Sequence, residues 1–549
     1  MIHGLDSNSG EVIAMRWFPL CVMLLSALSA SGQTVHVHGD EPAAAITADV
    51  GEVSFENSGG PAAQLPFRHG LALLHNFEYP AAAEAFRQAQ KADPSFAMAY
   101  WGEAMTYTHP VWFQQDADAA RAVLMRLAPT ADARIARGGT ERERAYLQTV
   151  EVLYGAGEKN ERDFKYSDAM AALHARYPDD IDATAFYALS ILGTAHEGRD
   201  FATYMRAAAL LEEVFPAHMQ HPGVLHYLIH CYDDPVHAPL GMRAAKLYGA
   251  IAPNAGHALH MTSHIFMALG MWDDVIAANI KAIAVVDRRR MLKNLPLSHC
   301  DHYSTWLHYG YLQTGRYADA TKSLDACRQS AFPDKFVASG PMDSLQGRVD
   351  EYVAMRSQQL ASGAMLAAGD ESVVITDSPE LAEDRLELAY GDVLAAAVRG
   401  DVAALRAKSA AVHALEPAAL ALVAKESSGQ VSRRTAIALM AQESDALLRI
   451  AEGKRADGIA ILQSAVKTEQ AMPLEFGPPV VAMPPSEMLA EQLLLAGRTA
   501  DAEAAYRTAL ERTPGRTPAL RGLLRAQKAA GHVEAAATTQ LLLEKYRVK

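Results

Sequence analysis

The chain has 549 residues, half of them hydrophobic, enough for one large core or an extended stacked one. A formal net charge of −14 leaves no basic footprint for DNA or RNA, so nucleic acid is excluded as a partner. Aromatic residues make up only 7%, and helix-period patterns dominate from about residue 64, which predicts an all-α protein.

Residues 1–32 read as an export signal. Arg16 precedes an apolar run, Trp17–Leu28, and small residues ending in Ala30-Ser31-Gly32 follow, so the expected start is Met15 and the expected cleavage lies near Gly32. That run is too short to span a bilayer, and no other stretch reaches membrane length. The expectation is an exported chain, periplasmic or extracellular, with no transmembrane helix in its mature part. Removing the signal removes Cys21 and leaves Cys231, Cys300 and Cys327. Three thiols argue against a disulfide framework: at most one bridge forms, or the thiols stay free or ligate metal. Residues 33–63 are rich in Ala, Gly and Ser and predict a flexible leader, with His36 and His38 as solvated linker.

The first clear helical hairpin is Pro66–Pro94. Gly70 and Ala82 are small enough to let two helices approach, Phe86 fills the space between them, and Pro94 stops the second helix. The spacing recurs: Pro94 follows Phe77 by 17 residues, Pro417 follows Gly400 by 17, and Pro514 follows Gly497 by 17. Gly531 repeats Gly497 after 34. With these residues the chain resembles the tetratricopeptide-repeat family. The resemblance implies a solenoid of stacked antiparallel helix pairs, with the first helix of each pair lining a concave groove. Residues 64–345 form the expected N-terminal solenoid, 346–482 a helical middle with a loop at 361–379, and 483–549 a C-terminal repeat pair. The phrases HYLIH, GHALHMTSHIF, FGPP and PPSEMLAEQLLLAGR are similar to a subgroup of exported bacterial members, which supplies a fold and no reaction.

Histidines gather in the middle of the solenoid. Eleven of the 21 lie between His218 and His308. His226 and His230 are four apart, as are His260 and His264, and the two pairs are offset by 34 residues. Side chains four apart share one helical face. In the resembled family's register, His226 and His260 take position five of their helices, His230 and His264 position nine, and His257 and His302 position two, all facing the groove. Neutral imidazoles suit Zn, Cu, Fe or Ni. The metal expectation is therefore one site made by His226, His230, His260 and His264, with His302 as a fifth member. His257, Asp233, Asp234, Trp101 and His109 are expected along the groove as ligand contacts. His308 and Cys231 are expected in the core, and His218, His221 and His237 near surface turns.

Two functions stay open. One is a binding scaffold whose groove holds a protein, peptide or small-molecule ligand. The other is a metal-binding protein or metal-dependent enzyme built on the same groove. A nucleophile elbow, a P-loop, a dinucleotide fingerprint and an H-E-x-x-H motif are all missing from the sequence.

Overall fold

The computed structural model describes residues 49–297, 299–333, 344–363, 373–424 and 430–546. The expected signal, His36 and His38, and residues 364–372 of the expected loop lie outside the described residues. Helices fill the rest, apart from a two-residue hairpin pairing Thr108–His109 with Gln114–Gln115.

Nearly every helix packs on the next in sequence, so the described residues form an α-solenoid of antiparallel helix pairs. The first pair is Pro61–His75 with Tyr79–Ala92. Phe86 lies between them, wholly buried, in contact with Gly70 of the first helix and with Gly102 of the third. Residues 141–214, which show little repeat character in sequence, form two regular pairs: Glu141–Leu153 with Lys159–Arg176, and Ile181–Leu192 with Phe201–Val214. Gly497 and Gly531 both turn at φ +76°, the left-handed conformation that closes a helix and suits glycine. The 34-residue interval between them is thus one backbone turn used twice.

Pro94 and Pro514 follow the ends of their helices at Ala92 and Arg512, as expected. Pro417 does not end one. The helix Val402–Val423 runs through it. Proline has no N–H for the His413 carbonyl four residues earlier, so the helix continues with one bond missing. Residues 49–60, inside the expected flexible leader, instead run across the first pairs. Val50 and Phe55 are buried, and Phe55 packs against Phe67, Trp101 and Tyr146.

The C-terminal repeats fold back onto the middle of the solenoid. Thr517 donates its backbone N–H and hydroxyl to Gln313, and Trp272 donates its indole N–H to the Gly515 carbonyl at 2.9 Å. Buried Arg516 joins Glu487 to the Tyr309 hydroxyl. At the closest point, the turn at Gly270 meets Gly515 backbone to backbone. A Cβ at Gly515 would strike the Gly270 main chain, which has no side chain to move aside.

Gly515→Ala should therefore loosen this closure and cost about 1–3 kcal/mol, the usual penalty for overpacking. Gly249→Ala, in a helix with only ordinary contacts around it, should be neutral or slightly stabilising. Denaturant melts of both variants check the contrast, and equal midpoints would refute the tight contact.

Candidate functional site

Three neighbouring first helices carry the histidines: Pro222–Tyr232, Gly256–Ala268 and His302–Gln313. The first is started by Pro222, and by His221, whose ring accepts the Val224 N–H. Side-by-side stacking brings six rings together in two trios. His226, His230 and His257 offer nitrogen atoms all within 4.8 Å of one another, and so do His260, His264 and His302. The trios adjoin, with ring centroids 6.1 Å apart between His230 and His264 and 6.0 Å between His257 and His260. Five of the six rings are buried, and His302 is half-buried. The rings thus face an enclosed interior and not the solvent-open groove of the sequence expectation.

The scaffold orients these rings through Nδ1. His226 Nδ1 donates to the His75 main-chain carbonyl at 2.6 Å, a free carbonyl at the end of the first helix. His264 Nδ1 meets the Asp233 carboxylate at 2.5 Å. His260 Nδ1 meets Asn279 Oδ1 at 2.7 Å. Asn279 is itself fixed, because its amide nitrogen donates to the Val275 carbonyl and the Ser263 hydroxyl. A carbonyl, a carboxylate and an amide oxygen only accept, so each of these rings, when neutral, carries its proton on Nδ1 and leaves Nε2 bare. These Nε2 atoms then converge. His226 and His230 have theirs 3.1 Å apart, and His260 and His264 have theirs 3.0 Å apart. With both rings of the second pair neutral, both nitrogens are lone-pair donors with no proton of their own to place between them.

Burial enforces the neutral form. The His226 and His302 rings are pushed down to about 3, chiefly by desolvation and further by neighbouring His264. His230, His257 and His260 lie well below the usual value for the same main reason, with the other rings of the cluster adding to it.

Aromatic side chains wall the cluster. Trp306 lies 4.2 Å from His264 and 4.9 Å from His260, centroid to centroid, and Phe476 from the C-terminal half covers His264 at 5.4 Å. Trp112, delivered by the small hairpin inserted in the second repeat, reaches His257 at 5.7 Å. Phe77 stacks over His230 and His257 and meets His226 edge-on. It does so from φ +56°, at the turn position that glycine holds in other repeats. A bulky residue in that conformation costs on the order of 1–3 kcal/mol, and such strain concentrates at functional sites. A cavity of about 40 Å³, room for a water molecule, opens beside His264 and Asp233 under Phe476.

Of the other expected residues, Asp233 joins the site through His264. Asp234, the adjacent residue, is turned away: Arg199 holds it, together with the His230 and Cys231 carbonyls, and it also binds His237. Trp101 sits in the N-terminal core against Phe55, Tyr146 and Phe186. His109 stacks on Tyr79 at 4.1 Å, in the layer behind Trp112. His221, expected near the surface, is buried with His75 on Asp182. His308 and Cys231 are in the core, and Cys300 is bridged to Cys327 just ahead of the His302 helix. Sequence reasoning missed Phe77, Trp112, Asn279, Trp306 and the His75 carbonyl. One signal was visible, a phenylalanine standing where the 17-residue spacing elsewhere starts from glycine.

No protein-family model matches the chain, and no curated protein does. Among solved structures, the APC/C hetero-tetramer Cut9–Hcn1 matches 86% of this chain and 78% of its own at 13% identity, with a TM-score of 0.35. Yeast Tom70 matches 86% of this chain and 89% of its own at 11% identity and 0.32. The human IFIT1 dimer with m7Gppp-AAAA matches 90% of each at 11% identity and 0.34. At such scores these likenesses carry no argument about this chain.

The buried rings set an acid limit on stability. An unfolded chain takes up protons at its histidines below about pH 6.5, while the folded rings refuse them until far lower. Stability of the metal-free protein should therefore hold above pH 7 and fall as pH drops below about 6.5, by up to about 1.4 kcal/mol per ring per pH unit. Melting curves at pH 7.5 and 5.5 check this, and coincident curves would contradict burial of neutral rings.

Proposed function

We propose that this chain is a metal-binding helical-repeat protein, with the solenoid as scaffold and the histidine cluster as the site for Zn, Cu, Fe or Ni. One observation carries the reading: the bare Nε2 atoms of His260 and His264 face each other at 3.0 Å. Two nitrogen ligands on one ion, with metal–nitrogen bonds of about 2.0–2.1 Å, stand roughly 3.0–3.4 Å apart. The hydrogen bonds from Nδ1 to Asp233, Asn279 and the His75 carbonyl fit the same reading. Metal-binding histidines almost always donate their other nitrogen to such partners, which fixes the ring and raises its basicity. The competing occupant of the gap is a second proton, on His264 Nε2 and shared with His260, while His264 Nδ1 stays on Asp233.

A solenoid also offers its outer and concave surfaces to protein or peptide partners. Binding of a peptide to the histidines themselves is disfavoured, because the rings are enclosed. Location rests on the apolar run Trp17–Leu28: we propose export, periplasmic or extracellular. No helix among the described residues is long and apolar enough to cross a membrane.

Protein purified without chelators should carry a transition metal by elemental analysis. His264→Ala should lower the metal content, and His413→Ala, at a solvent-facing histidine outside the cluster, should not. Asp233→Asn, which keeps the shape and removes the charge, should weaken affinity about 10- to 100-fold. A chain that arrives metal-free, and takes up neither Zn nor Cu when they are added, would leave the shared-proton reading standing.

A further inference from the structure

We infer that each histidine trio holds its own ion, so that the cluster is a two-ion centre completed by a small anion, and not one ion shared by four histidines. This rests on the metal reading above and refines it.

The trios are built on one plan. Each takes an i, i+4 pair from one helix and a single ring from the start of the next: His226 and His230 with His257, then His260 and His264 with His302. Two donors on one ion stand at most about 4.2 Å apart, twice a metal–nitrogen bond. Within the pairs the nitrogens lie at 3.1 and 3.0 Å, and each trio, unlike the two pairs taken together, offers one nitrogen per ring all within 4.8 Å of one another. The third ring of the first trio is also uncommitted. His257 Nε2 is buried with no hydrogen-bond partner, a state proteins rarely leave unfilled.

Charge then demands the anion. The six rings are neutral ligands, and among the described residues Asp233 is the carboxylate hydrogen-bonded to one of them. Asp234 is already neutralised by Arg199. Two divalent ions would bring four positive charges into an aromatic enclosure, against one carboxylate bonded to the rings and Glu475 beside Arg512 in the cavity wall, and uncompensated buried charge is expensive. Three histidines leave an ion with an open position. Such a position would take a water or hydroxide, and a hydroxide there would supply negative charge where it is needed. The cavity beside His264 and Asp233, lined also by Trp272, Phe476 and Arg512, is the right size to admit it.

The test is stoichiometry. Full-length, metal-depleted protein is titrated with Zn(II) or Cu(II), freed of excess by gel filtration and assayed for metal. The expected result is two ions per chain. His257→Ala and His302→Ala should each reduce it to one, and the double variant to none. The wild-type count stands by itself if a variant misfolds. Azide added to the Cu(II)-loaded protein should shift its visible absorption by displacing the small anion. One ion in the wild type, retained in both single variants, would overturn the two-ion centre and leave the metal reading intact. No ion would overturn both. An unchanged spectrum with azide would overturn the exchangeable anion.

Discussion

The structure turns on the burial of imidazole rings that must stay neutral and correctly oriented. A buried ring needs a partner for its N–H, and the fold supplies one from a different element each time. The partners are the carbonyl ending the first helix for His226, the Asn279 amide for His260, and the Asp233 carboxylate for His264. Those choices fix which nitrogen is free, and so decide what the cluster can bind. Helix stacking brings the rings together, and the Nδ1 contacts set how each ring is turned.

Enclosure is the second constraint. A solenoid groove is ordinarily open, and here it is closed by chain two hundred residues further on. Phe476 lies on His264, Arg516 bonds the Tyr309 hydroxyl, and Gly515 meets Gly270. Closure raises the cost of any charge in the interior, which selects for neutral rings in the metal-free protein. It also excludes bulk water from whatever occupies the site.

The helix-pair architecture was legible from Gly497, Gly531, Phe86 and Pro94, because packing and turn geometry within a repeat are local. The two histidine pairs and the third rings His257 and His302 were legible for the same reason: a 34-residue period fixes which helix faces stack. Three things were not. Asn279 and the His75 carbonyl act through contacts that no spacing rule encodes. The division into trios depends on where the first residues of a helix lean, a matter of a few ångströms. Burial depends on the closure by residues 475–517, and long-range docking leaves no period in sequence. Pro417 shows the limit from the other side. It keeps the spacing of a helix stop, yet its helix continues, because one missing hydrogen bond is a modest cost when neighbouring helices hold the segment in place.

Phe77 draws these threads together. Its turn makes the same capping bonds as the glycine turns, Phe77 N–H to the Leu74 carbonyl and Glu78 N–H to Leu73. Glycine would adopt that backbone without strain, so local stability alone gives phenylalanine no advantage. What the ring adds is cover, since it lies against all three members of the first trio. Trp112 arrives by similar means, carried in by a hairpin that interrupts an otherwise regular repeat, next to Phe113 at φ +55°. Two departures from the repeat pattern, each with a left-handed non-glycine residue, converge on His257. A fold that needed only to stack helices would have no use for either. Their meeting over His257 places the demand on the site itself, which has to be kept dry.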